Sequence, residues 1–192
     1  MLHLTQDDSA DALLTDDPFA LLVGMLLDQQ VPMEHAFTGP YTLAERLGGF
    51  DAGAIAALEP DAFVEVCAAR PAVHRYPASM GARIHALAVR VRDDYGGDAS
   101  RVWRDAADGA DLRARLEALP GYGPQKAQIL VALLGKQLGV CPAGWREAAG
   151  AYGEDRVYRS IADVVDPSSL TRVRADKQER KRIAREQRQA QS

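Results

Sequence analysis

Leu119-Pro120-Gly121-Tyr122-Gly123-Pro124-Gln125-Lys126-Ala127 is the stretch whose reading decides the fold. Helical patterning runs up to it and away from it. Asp111 to Ala118 carries Leu112 and Leu116 one turn apart, and Pro124 to Leu134 carries Ile129, Leu130, Leu133 and Leu134 as an apolar side. Between the two, Gly121 and Gly123 can take positive φ and let another backbone come close. Pro124 suits the first position of a helix, where its missing N–H costs nothing. The unpaired N–H groups at such a helix start sit beside the positive end of its dipole, a combination that binds phosphate oxygens. Lys126, in the first turn, adds a positive charge. On spacing alone, the same residues also describe an ordinary αα-corner.

Outward from the turn, helical periodicity continues and no convincing alternating strand interrupts it. Asp16-Asp17-Pro18 opens a helix whose body, Phe19 to Leu27, is nearly all apolar and therefore buried on most sides. Gln29-Gln30-Val31-Pro32 ends it, because Pro32 disfavours helix at Val31. A short helix is predicted from Pro40 to Leu47, two more over Asp51–Leu58 and Asp61–Ala69, and a long one from Ser79 to Tyr95 closed by Gly96-Gly97. A short helix around Trp103, another from Trp145 to Ala149, one around Val157 to Val164 and a charged tail helix from Ser168 complete the chain. Val140-Cys141-Pro142-Ala143-Gly144 reads as a loop. The expectation is an all-α protein of about ten helices.

The bulk composition narrows the class. The 192 residues suffice for one domain or two small lobes sharing a cleft, and 47% hydrophobic with 26% charged residues is ordinary for a soluble globular protein. No run approaches a membrane span, and Met1 to Asp8 lacks the layout of a signal peptide. Cys67 and Cys141 are too few for a disulfide framework and are not spaced as metal ligands. A cytoplasmic protein with no metal and no cofactor is expected, and a monomer. The net charge of −4 argues against a protein that coats DNA, but the charge is uneven. Leu170 to Ser192 holds eight basic residues and three acidic ones, while acids crowd the start of the chain. Such asymmetry hints at nucleic-acid contact; a solvated, frayed terminal helix is the plain alternative. The expected organisation is a domain over residues 1–167 and a basic helical tail over 168–192.

The hairpin stretch resembles the signature of the helix–hairpin–helix DNA glycosylases, the superfamily of endonuclease III, the adenine-mismatch glycosylases and the alkyladenine glycosylases. Asp17-Pro18-Phe19-Ala20-Leu21-Leu22 followed by Asp28-Gln29-Gln30-Val31 is similar to that family's first core helix and its glutamine-bearing loop. Ser79 to Gly97 is similar to the helix before the hairpin. The likeness spans about Asp16 to Gly144. It implies a two-lobed helical fold with a central cleft, and double-stranded DNA with a damaged base as partner. In that family the duplex is kinked and one base is turned out into the cleft. By position, Gln30 matches the glutamine that enters the gap, with Gln29 beside it. Gly121, Tyr122, Gly123, Gln125 and Lys126 would meet DNA at the hairpin. Trp145 is a candidate to stack on an extruded base.

The departures from the family concern its chemistry. Its catalytic aspartate lies in the loop after the second hairpin helix, and here Gly139 to Trp145 contains no carboxylate. The lysine with which its bifunctional members attack the sugar falls on Gln125. Lys126 is one residue on, about 100° round the helix, and is expected to meet a phosphate or solvent. Asp28, beside Gln29-Gln30, is the candidate catalytic or base-reading carboxylate; a desolvated carboxylate there would have a raised pKa. Glu147 and Asp155 are further stand-ins. The resemblance thus implies a monofunctional DNA glycosylase of base-excision repair, without lyase activity. The alternatives are a catalytically inactive glycosylase-like module that binds damaged or structured DNA, and an all-α protein whose hairpin contacts another protein.

Overall fold

A computed structural model describes residues 1–190. They form eleven α-helices and no strand. The helices are α1 (Asp8–Asp16), α2 (Pro18–Leu27), α3 (Met33–Leu47), α4 (Ala52–Ala56), α5 (Pro60–Ala68), α6 (Pro77–Tyr95), α7 (Arg101–Arg104), α8 (Gly109–Glu117), α9 (Pro124–Gln137), α10 (Trp145–Ala149) and α11 (Pro167–Ala190). Two 3₁₀ turns, Gly150–Tyr152 and Ile161–Asp163, lie between α10 and α11.

The apolar run after Asp17 becomes the central helix. The Asp17 carboxylate accepts the Phe19 and Ala20 N–H groups at 2.7 and 3.1 Å, Pro18 takes the first position, and Phe19 to Leu27 are all buried. Nothing in the sequence reading anticipated α1. Asp7 caps it, and the buried Asp11 carboxylate accepts the Leu4 and Thr5 N–H groups, both at 2.9 Å, folding Leu2 and Leu4 into the core.

Pro40 does not start a helix; it lies inside α3, which begins seven residues earlier at Met33. A proline there removes a hydrogen bond and crowds the carbonyl four residues back. Burial against α2 overrides that local cost. Phe37 rests on Gly24, where a Cβ would lie 2.6 Å from the ring, and Gly39 lies under Leu27, where a Cβ would come within 2.5 Å. The two helices interlock at glycines, so α2 and α3 approach more closely than larger residues permit.

The remaining helices gather in two sets. α4 and α5 pack on α6, while α8, α10 and the Ile161–Asp163 turn pack on α9. The expected helix around Val157 to Val164 is only that 3₁₀ turn. The hairpin meets the central helix: Lys126, in the first turn of α9, donates to the Met25 and Leu26 carbonyls of α2. α11 departs from the predicted tail. Its first turns are part of the body: Leu170 is 2% and Val173 6% exposed, and the helix packs on the Ile161–Asp163 turn. Residues 191–192 of that tail lie outside the described residues. No helix among the described residues is long and apolar enough to cross a membrane.

Candidate active site

A cavity of about 670 Å³ opens where α2 ends, α9 begins and α11 passes. That volume suits a small-molecule-sized group such as a nucleoside. Its apolar lining includes Met25, Val31, Ile129 and Ile161. Its carboxylates are Asp28 and Glu34, and its cations are Lys126, Arg159, Arg174, Lys177 and Arg180. Gln29, Gln125, Tyr152 and Ser160 complete the polar lining.

Asp28 is the residue that follows α2, and its backbone N–H still donates to the Gly24 carbonyl at 3.1 Å. Its side chain therefore leaves the buried helix directly into the cleft. Burial raises its pKa, against the attraction of Lys177 and Lys126, which lowers it. A carboxyl group tuned upward inside a cleft is suited to proton transfer nearer neutral pH than a free aspartate.

Gln29 and Gln30 behave differently from one another. Gln29 is half-buried and turned inward: its amide N–H₂ donates to the Leu26 carbonyl at 3.2 Å and meets the Met80 sulfur at 3.1 Å. Gln30 is exposed and left-handed, with φ +57°. Residues other than glycine seldom hold that conformation unless their surroundings impose it. The buried His74 supplies part of the constraint. Its Nδ1 accepts the Tyr76 N–H at 3.1 Å, so its Nε2 carries the proton and donates to the Gln29 carbonyl at 2.8 Å.

At the hairpin, Gly121 has φ +81°, a left-handed position that a glycine fills without strain. Its Cα faces Leu26 of α2, so the turn is seated on the central helix. Gly123 has open space where a side chain would be, and no side chain caps the start of α9. Gln125 faces the cleft and donates to the Tyr152 hydroxyl at 2.9 Å.

Three predicted contacts need correction. The Tyr122 side chain is not at the hairpin surface; it is buried, and its hydroxyl donates to the Leu22 carbonyl at 2.7 Å. A phenol inside an apolar core needs a partner for its O–H, and the middle of α2 offers one. Lys126 does not extend to solvent or an outer phosphate. Its Nζ donates to the Met25 and Leu26 carbonyls at 2.7 and 2.5 Å, satisfying the open carbonyls at the end of α2. Burial brings its pKa down to about 8, with Asp28 opposing that shift and Arg83 adding to it. Trp145 does not line the cleft. Its ring lies flat on Gly135 of α9, where a Cβ would come within 2.5 Å, and Arg146 stacks on it at 4.5 Å.

The stand-in carboxylates are also elsewhere. Asp155 pairs with Arg146 at 2.9 Å on the far side of α9, and Glu147 lines a shallow depression with Asp108 and Arg113. Of the candidates, only Asp28, Gln29, Gln125 and Lys126 line one cavity.

Sequence reasoning missed Tyr152 and Arg159, and it read the cations of α11 as a basic tail without placing them at the cleft. Tyr152 sits in the Gly150–Tyr152 turn, too short to show a period. Arg159 and Ser160 are held by a buried pair: Lys136 Nζ lies 2.6 Å from Asp163 Oδ1, and Asp163 Oδ2 accepts the Arg159 and Ser160 N–H groups at 2.9 and 3.2 Å. The Lys136-to-Asp163 separation of 27 residues gave no local signal.

Comparison of the chain with protein-family models, with curated proteins and with solved structures finds no match.

Proposed function

We propose that this chain is a DNA-binding base-excision-repair protein of the helix–hairpin–helix glycosylase type, a cytoplasmic monomer that hydrolyses the N-glycosidic bond of a damaged base turned out of the duplex. One observation carries the reading. Asp28, a carboxylate with a raised pKa, lines the cleft together with Lys126 and Lys177, two residues before an exposed glutamine held in a left-handed conformation.

The arrangement suits the chemistry of a flipped nucleotide. Gln30 would enter the gap left by the base, where an amide can bond to the orphaned base edge. The uncapped start of α9 would take a phosphate beside the lesion. In the cleft, ionised Asp28 would accept a proton from water as the water oxygen bonds to the sugar C1′ and the glycosidic bond breaks. The bond pair leaves with the base. A cationic, alkylated base departs neutral and needs no proton, so one carboxylate suffices. The Lys126 ammonium is committed to two carbonyls, which supports hydrolysis without strand cleavage.

A second reading is a module that binds damaged or structured DNA without cutting the glycosidic bond. The loop from Gly139 to Gly144, where the resemblance would put the aspartate, favours it, because that loop has no carboxylate. One experiment separates the two. The protein is incubated with duplexes carrying uracil, mismatched, oxidised or alkylated bases, and alkali then reveals abasic sites. Strand breaks only after alkali support the enzyme; salt-sensitive binding without breaks supports the module; no binding at low salt rejects both.

A further inference from the structure

The function above leaves α11 unexplained. Its start is fixed. The Asp166 carboxylate accepts the Ser169 N–H at 2.7 Å, and the Ser169 hydroxyl accepts the Val165 and Asp166 N–H groups, both at 2.9 Å. Leu170 and Val173 then anchor the first turns in the core. Seven residues are two helical turns, so Lys177 and Arg180 repeat the positions of Leu170 and Val173 on the same face. That inward face thus changes from apolar to cationic as it passes over the cleft, and both cations line it.

A helix that served packing alone would keep this face apolar, and one that served solubility would turn its cations outward. Lys177 and Arg180 are exposed at the cleft wall, within reach of an incoming anion unless carboxylates of the cleft already neutralise them. The cleft supplies too few. Five cations line it against two carboxylates, in a chain whose net charge is −4. Arg174 pairs with Glu34 and Arg159 with Glu154, while Lys126 and Lys177 share the single Asp28 carboxylate, so a positive excess remains. Arg180 pairs with Asp176 of its own helix.

We infer that Lys177 and Arg180 of α11 form a phosphate-binding wall of the cleft, which grips the sugar–phosphate backbone of the strand whose nucleotide enters it. The inference rests on the function proposed above and names a partner surface for the helix. It assigns α11 to DNA binding, which is read from affinity rather than from base release, because Lys177 also acts on the Asp28 carboxylate.

The test uses the full chain and a Lys177→Gln/Arg180→Gln variant, which keeps the Arg174–Glu34 pair and the buried anchors. Affinity for a duplex with a stable abasic-site analogue is measured across a salt titration, with thermal melting to establish that both proteins are folded. Loss of two phosphate contacts lowers the slope of log affinity against log salt by about 2 and weakens binding roughly tenfold at moderate salt. Wild-type binding with an unchanged slope in the variant overturns the assignment of α11 and leaves the functional reading standing. Weaker binding with an unchanged slope also overturns it, because a packing defect alone would give that result. No binding by the wild type at low salt overturns both.

Discussion

The loops that leave α2 and α9 can be compared directly, because each follows a buried helix and precedes another helix. Asp28 to Pro32 carries a carboxylate into a cleft, is tied to His74 through the Gln29 carbonyl, and holds Gln30 at φ +57°. Gly139 to Gly144 carries no carboxylate and is folded back on the protein. The Ala143 carbonyl accepts the Gly109 N–H at 2.7 Å, and the next residue, Trp145, is packed on Gly135. One loop exposes polar chemistry and accepts backbone strain; the other is spent on packing. Strain and a desolvated carboxylate persist where the surroundings over-determine them. The chemistry of this fold is therefore expected on the α2 side.

The sharpest way to break that contrast is Asp28→Asn. If the α2 loop carries the reaction, base release falls by about 10²–10⁴-fold in the alkali-cleavage assay, and duplex affinity is retained. Full activity in the variant would refute the role of Asp28.

The next largest effect concerns what supports the cleft from the α9 side. Lys136 and Asp163 are nearly buried, at 12% and 5% exposure of their side chains. Lys136→Met strands the Asp163 carboxylate and costs about 3–5 kcal/mol. The urea midpoint should fall with little change in slope. A third substitution sharpens the packing assignment of Trp145. Gly135→Ala drives a methyl into the indole and costs about 1–3 kcal/mol. A ring free to swing outward, as a stacking platform would be, would make that change nearly neutral.

Asp28 also predicts a pH signature. Its folded pKa lies above the ordinary 3.8, so between those values the native state binds more protons than the unfolded chain. Stability contributed by the protonated carboxyl is present below 3.8 and is lost as pH rises through the folded pKa. Relative to Asp28→Asn, wild type should match the variant in acid and become the less stable of the two toward neutral pH. Equal stabilities throughout denaturant titrations at several pH values would show that the carboxylate is not desolvated. The smallest effect is expected from Gln30→Gly. Relief of the left-handed strain is limited to about 1 kcal/mol and is offset by the flexibility of glycine when unfolded. Melting should therefore move little, while preference for a duplex missing a base is lost.

Much of the helical layout was readable locally. Asp17-Pro18, Gly96-Gly97 and the hairpin residues mark ends through capping and turn chemistry, which need only neighbours in sequence. Pro40 was misread because the local penalty of a proline was weighed without the interlocked glycines of α2 and α3. In the site, Asp28 was legible from its position at the end of an apolar helix. Lys126 was placed on the right element but given the wrong partner, since the carbonyls it binds lie 101 and 100 residues away in the chain.

By itself, the sequence determined the all-helical class, most of the helices, the glycine hairpin and the absence of a carboxylate after α9, because periodicity, caps and residue identity are local properties. Tertiary structure alone decided that Tyr122 is buried, that Lys126 closes α2, that Trp145 packs and that α11 walls the cleft. The physical reason is that a pattern shows which face of a helix is apolar, whereas its partner is selected by long-range packing. The charge and hydrogen bonding of each side chain follow from that partner.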